Sequence, residues 1–174
     1  MVQPYKKGIN ISVMVWAGFS GLRGRSPLYV MVRDPLAKRG GYSANSYLKV
    51  LEENIPKVHR RGMTFMQDNA PIHTAIKVGE WFERRRINLL DWPPYSPDLN
   101  PIEHIWFHLK SKALELHPEL KYLTGSVDFV REKLGEALRE AWEALPQSLF
   151  DSILGSMKRR CEAVIAAEGW HTKY

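Results

Sequence analysis

The chain has 174 residues, 44% hydrophobic and 25% charged, which suits one soluble domain with a sizeable core. No run approaches the roughly 18 apolar residues of a membrane span, residues 1–8 lack the apolar core of a signal peptide, and the single Cys161 excludes an internal disulfide or a Cys-rich zinc site. An intracellular protein in a reducing compartment is expected, and its net charge of +6 comes from residues 1–42, where Lys6, Lys7, Arg23, Arg25, Arg33, Lys38 and Arg39 meet only Asp34.

The two-residue alternation of Ile9, Ile11, Val13 and Val15 predicts a strand running to about Phe19. Gly18, Gly21, Gly24 and Pro27 mark a turn, and residues 28–32 form the return strand of a hairpin. The loop Gly21-Leu22-Arg23-Gly24-Arg25 is basic and flexible, a candidate for phosphate contact. Arg33-Asp34-Pro35 reads as turn chemistry. Ser43 is the expected N-cap of a helix through about Ile55, with Tyr47, Leu48, Leu51 and Ile55 inward and Pro56 ending it. Residues 63–67 form the next strand. A helix over 74–86 turns Val78, Trp81 and Phe82 inward and ends in Arg84-Arg85-Arg86, where cations complement its dipole. A short strand at 88–90 stops at Asp91-Trp92-Pro93-Pro94.

The remainder is helical: 100–116; then a helix capped by Ser126 with Val127, Val130, Leu134, Ala137, Leu138, Ala141 and Leu145 at helical spacing. A last helix follows Pro146, with Phe150, Ile153, Leu154, Met157, Cys161, Val164 and Ile165 inward and Lys158-Arg159-Arg160 on a solvated face. The order of elements predicts an α/β or α+β layer fold in one piece, spanning 1–174.

Two carboxylates stand out. Asp68, in Gln67-Asp68-Asn69-Ala70-Pro71-Ile72-His73, follows an apolar strand, and Glu103 opens a helix in Ser96-Pro97-Asp98-Leu99-Asn100-Pro101-Ile102-Glu103, thirty-four residues further on. Oxygen ligands from a strand end and a helix start are what a divalent-metal phosphoryl-transfer site requires. Each also has a structural reading. Asn100, Pro101 and Glu103 make an N-cap, a first-turn proline and a carboxylate reaching back to the cap, and Asp68-Asn69 makes an Asx turn. His73 is a turn or helix-start hydrogen bonder, or a contact to DNA.

The joint order is more specific than its parts. Gln67-Asp68-Asn69-Ala70-Pro71-Ile72-His73-Thr74-Ala75, the run from Leu89 through Tyr95-Ser96-Pro97-Asp98-Leu99-Asn100-Pro101-Ile102-Glu103-His104-Ile105-Trp106, and the spacing between the two carboxylates resemble the DDE catalytic domain of Tc/mariner-type transposases. Val13-Met14-Val15-Trp16-Ala17-Gly18 is similar to that family's second core strand, and Met157-Lys158-Arg159-Arg160-Cys161 with Gly169-Trp170-His171-Thr172-Lys173-Tyr174 to its C-terminus. The resemblance implies a ribonuclease H-like mixed sheet flanked by helices, with a helical C-terminal third. It further implies a site in which two Asp and one Glu hold two Mg²⁺ or Mn²⁺ ions that activate water or a DNA 3′-hydroxyl against a phosphodiester.

By motif position Asp68 matches the second Asp and Glu103 the Glu, as catalytic and metal-binding residues. The first Asp belongs to a strand upstream of Val13, where none of the twelve preceding residues is acidic, so the first core strand and the helix-turn-helix modules are expected to be missing. Weak or no strand cleavage and transfer is then expected. DNA is the implied partner, with Lys6, Lys7, Arg23, Arg25 and His73 as its contacts, and the nucleus is the implied location. The competing reading is a catalytically inert module that binds nucleic acid or pairs as a homodimer or with a full-length transposase. Loss of a central strand predicts unpaired edges and self-association. A metal-free hydrolase built on His73 and Asp68 ranks last, since no Ser or Cys lies in a nucleophile elbow.

Overall fold

The computed structural model describes residues 5–6, 9–22, 24–37, 40–93, 96–170 and 172. They fall into two compact units: Met1–Ala17, Pro27–Val30 and Pro97–Tyr174 in the first, Gly18–Ser26 and Met31–Ser96 in the second.

The first unit is mainly helical. Two antiparallel ladders precede its helices: β1 (Tyr5–Lys6) with β2 (Ile9–Asn10), and β3 (Val15–Trp16) with β6 (Tyr29–Val30), the latter in register Val15 to Val30 and Trp16 to Tyr29. The helix α3 (Pro101–Leu116) starts where Asn100 Oδ1 accepts from Ile102 N at 3.3 Å, with Pro101 supplying a first position that needs no N–H. It buries Ile105, Leu109 and Ala113 against α4 (Val127–Ala144), which Ser126 caps by accepting from Phe129 N at 3.2 Å. Leu134, Leu138 and Ala141 are buried on α4 at the expected spacing, joined by Trp142, whose ring lies 5.3 Å from Phe150 and 5.9 Å from Trp106.

The second unit holds the β4 (Phe19–Ser20) and β5 (Gly24–Arg25) hairpin, closed by Gly24 at φ +68°, where glycine avoids the Cβ penalty of the left-handed region. The single hairpin expected from sequence is therefore two short ladders, one in each unit. Helix α1 (Ala44–Val58) begins at a capping box: Ser43 Oγ accepts from Asn45 N, and Ser43 N donates to Ser46 Oγ. Asp34 fulfils its turn reading. Its carboxylate accepts from Leu36 N, Asn45 Nδ2 and Ser43 Oγ, and these bonds, that from Ser43 foremost, hold its pKa below the usual carboxylate value.

Downstream, β7 (Thr64–Phe65) pairs in parallel with β8 (Asn88–Leu89), and α2 (Ile76–Arg84) connects them. Tyr47, Val50, Leu51, Val78, Trp81 and Phe82 form the core of this unit, with Phe65 stacked on Phe82 at 5.4 Å.

Three expectations are corrected. Pro56 does not end α1: His59 N donates to Ile55 O at 2.9 Å and Val58 is buried, so packing carries the helix two residues past the proline. The helix after Pro146 is two, α5 (Gln147–Gly155) and α6 (Met157–Ala166), divided at Ser156, whose N–H bonds back to Ser152 O and Ile153 O. On α6 Cys161 and Ile165, expected inward, are exposed, and Arg160, expected on a solvated face, is buried. Among the described residues no helix is long and apolar enough to cross a membrane.

Candidate active site

Asp68 lies just beyond the end of β7 in the second unit. Its Oδ1 accepts from Ala70 N at 3.1 Å, which is the Asx turn read from sequence, and from His73 Nδ1 at 2.6 Å. The carboxylate needs a donor, so this contact fixes the His73 tautomer with the proton on Nδ1. The turn is closed by His73 N and Thr74 N, both donating to Ala70 O, at 2.8 and 3.1 Å. Around it Tyr47 Oη donates to Gln67 Oε1 at 2.7 Å, Gln67 Nε2 donates to His73 O at 3.3 Å, and the Tyr47 and His73 rings lie 4.2 Å apart. Asn69 Nδ2 ties the same turn to Trp92 O at 2.8 Å. Asp68 is thus oriented through one oxygen. Its other oxygen, Oδ2, has no hydrogen bond among the described residues, and the side chain is 46% exposed.

Glu103 lies in the first turn of α3 in the first unit, exposed, on the rim of a cavity of about 180 Å³ shared with Trp106, Lys110, Leu138 and the 13–15 segment. Its side chain does not close a capping box: the cap is Asn100 alone, and Glu103 contributes its backbone N–H to Asn100 O at 3.2 Å. The carboxylate is left facing solvent.

The segment carrying Glu103 is held by residues that sequence reasoning missed. Arg160, assigned to a solvated face, is 4% exposed; its Nε donates to Ser156 Oγ at 2.7 Å and its Nη1 to Asp98 O at 2.9 Å and His104 Nε2 at 2.6 Å. Thr172 adds two donors, N and Oγ1, to Asp98 Oδ2. The one sequence signal for Arg160 is the stripe Phe150, Ile153, Met157, Arg160, which continues at helical spacing. Burial, then the Arg160 cation and His108, lowers the pKa of His104, with Asp98 opposing.

Of the proposed DNA contacts, Lys7 and Arg23 lie outside the described residues. Lys6 falls in β1, Arg25 in β5, and His73 beside Asp68.

Asp68 and Glu103 supply hard carboxylate oxygens, the donor type that Mg²⁺ and Mn²⁺ prefer, and Oδ2 of Asp68 is open to a ligand. Among the described residues no three His, Cys, Asp or Glu side chains gather into a group able to hold a metal ion. Each carboxylate by itself fits such an ion in donor type.

Comparison with known proteins agrees with the family resemblance carried by the motifs. Residues 35–124, which include both carboxylates, match the DDE superfamily endonuclease family. The chain is 39% identical over 168 residues to the transposable element Tcb2 transposase of Caenorhabditis briggsae, covering 94% of this chain and 55% of that protein. It is 45% identical over 114 residues to the transposable element Tc1 transposase of Caenorhabditis elegans, covering 66% and 38%. It spans about half the length, or less, of these curated relatives. Its fold is similar to the crystal structure of the catalytic domain of Mos1 mariner transposase, with a TM-score of 0.54 at 20% identity, over 93% of this chain and 82% of that one. The architecture is a mixed α/β fold of the ribonuclease H-like kind. The chain belongs to the DDE superfamily endonuclease family, and the curated relatives it matches are transposases of transposable elements.

Proposed function

We propose that this chain supplies two of the metal-binding carboxylates, Asp68 and Glu103, of a DNA-cleaving and strand-transferring transposase domain. The observation that carries the reading is the oriented Asp68: His73 and Ala70 N take one oxygen and leave the other open and solvent-accessible. A bare Asx turn needs Ala70 N but not a histidine locked on the same oxygen. Divalent cations, when bound, activate the attacking oxygen and stabilise the leaving one.

The chain's own residues do the remaining work. His73 keeps its proton on Nδ1 and holds the Asp68 carboxylate in one rotamer, while Tyr47 and Gln67 brace His73 in turn. Asn100 and Arg160 fix the start of α3, and so the direction from which Glu103 projects. Two carboxylates hold a pair of divalent ions weakly, so this chain by itself is expected to nick slowly. DNA as substrate implies a nuclear location.

The test is nicking of supercoiled plasmid by the 174-residue chain in Mg²⁺ or Mn²⁺. Slow nicking that disappears in both Asp68→Asn and Glu103→Gln is expected. No nicking at any metal concentration, or nicking that survives both substitutions, overturns the proposal.

A further inference from the structure

Four arginines from two separate places in the sequence surround one cavity of about 350 Å³ in the second unit. Arg60 and Arg61 come from the turn after α1, and Arg85 and Arg86 from the turn that ends α2. The volume is at the small end of the roughly 300–1,000 Å³ usual for ligand sites. No acidic side chain lines it, and among the described residues Arg60, Arg61 and Arg86 have no carboxylate within ion-pair distance. Four exposed arginines lining one space give it a local positive potential that favours an anion.

All four residues are exposed, and two features set the placement of Arg85 and Arg86. The Arg85 guanidinium lies 4.3 Å from the centre of the Trp81 ring, over a side chain that is itself buried, and is steadied at its edge by Glu52 at 3.7 Å. Its planar fork is therefore pre-oriented, which suits bidentate binding of phosphate oxygens. Arg86 has φ +54°, the left-handed position of a Schellman-type helix end: Ile87 N donates to Phe82 O at 3.1 Å and Arg86 N to Glu83 O at 2.9 Å. Glycine is the residue that position favours, and this chain places an arginine there at a backbone cost.

We infer that this cavity is a phosphate-binding site that grips the backbone of duplex DNA without reading its sequence. The inference rests on the reading above for the identity of the polyanion. It does not involve Asp68, Glu103 or a metal. Four cations spread over two turns match a run of backbone phosphates better than one free phosphate ion, and guanidinium contacts to phosphate fix position and carry no base information.

The experiment is fluorescence anisotropy with a labelled duplex of arbitrary sequence, in EDTA, using the full chain, with binding followed against salt. Arg86→Gly should bind DNA a few-fold more weakly while its melting temperature stays the same or rises, since glycine suits that φ. The triple variant Arg60→Ala, Arg61→Ala, Arg86→Gly should bind on the order of tenfold more weakly, and its slope of log K against log salt should fall by about 2 to 3, close to one per lost phosphate contact. Lys158→Ala with Arg159→Ala, which removes exposed cations elsewhere, should lower the slope by less. An unchanged affinity and slope in the triple variant overturns the inference, as does complete displacement of the duplex by low-millimolar inorganic phosphate, which would make this a site for free anions. Arginine-dependent binding without any nicking would sink the proposed function alone. Nicking that depends on Asp68 and Glu103, with binding indifferent to the arginines, would sink the inference alone.

Discussion

His104 stands next to Glu103, and its environment makes it a pH-sensitive support for the start of α3. A guanidinium only donates, so the 2.6 Å contact from Arg160 requires an unprotonated Nε2. Burial, the Arg160 cation and His108 all disfavour the imidazolium, Asp98 favours it less strongly, and the folded-state pKa lies below the ordinary 6.5. The unfolded chain therefore binds the proton more readily. The stability contributed by neutral His104 is complete above about pH 6.5 and is lost as the pH falls through the lower folded value. Thermal melts between pH 7.5 and 5.5 should show the midpoint falling with acidification. His104→Gln keeps an oxygen acceptor for Arg160 without the titration, so its midpoint should fall less; equal slopes in the two proteins would contradict this account. The contact is not written in local sequence, and the burial of Arg160 is signalled only by its place on the Phe150, Ile153, Met157 stripe, against the charged look of Lys158-Arg159-Arg160. The pairing joins residues 56 apart in the chain, which only the packing of α6 against the start of α3 brings together.

At the scale of elements, the helix caps were the most legible features, because a cap is a bargain struck among neighbouring residues. Ser43, Asn100 and Ser126 all accept backbone N–H groups two or three residues ahead, as their position before apolar periodic segments implies. Less legible is where helices come close to other elements. Gly135 is buried in the middle of α4, where glycine costs about 1 kcal/mol relative to alanine in propensity. A Cβ there would sit 3.3 Å from Val30 Cγ2 of β6, tighter than ordinary contact. Gly135→Ala should leave stability within about 1 kcal/mol of the parent, since helix propensity offsets the crowding. Gly135→Val adds two methyl groups against the same strand and should destabilise by roughly 1–3 kcal/mol in urea unfolding. A valine variant as stable as the alanine one would show that β6 yields freely. Pro56 makes the converse point: local rules end the helix there, and the buried Val58 two residues on overrides them.

For the molecule as a whole, the described strands form four separate two-stranded ladders, each two residues long. Such ladders leave their outer edges without a strand partner among the described residues, and their unpaired N–H and C=O groups are open to pairing with another chain. Sedimentation or light scattering of the isolated chain should show association that grows with concentration. A monomer with a concentration-independent melt would count against it. The sequence by itself determined the family, the positions of its two carboxylates and most of the helices, because motifs, caps and apolar periodicity are properties of neighbours along the chain. Only the tertiary structure decided that His73 locks one oxygen of Asp68, that Arg160 is buried against Asp98 and His104 while Cys161 faces solvent, and that Arg60, Arg61, Arg85 and Arg86 share one cavity. Those arrangements depend on how elements pack and on where a helix breaks, and a linear pattern carries the chemistry of each residue but not its distance from the others.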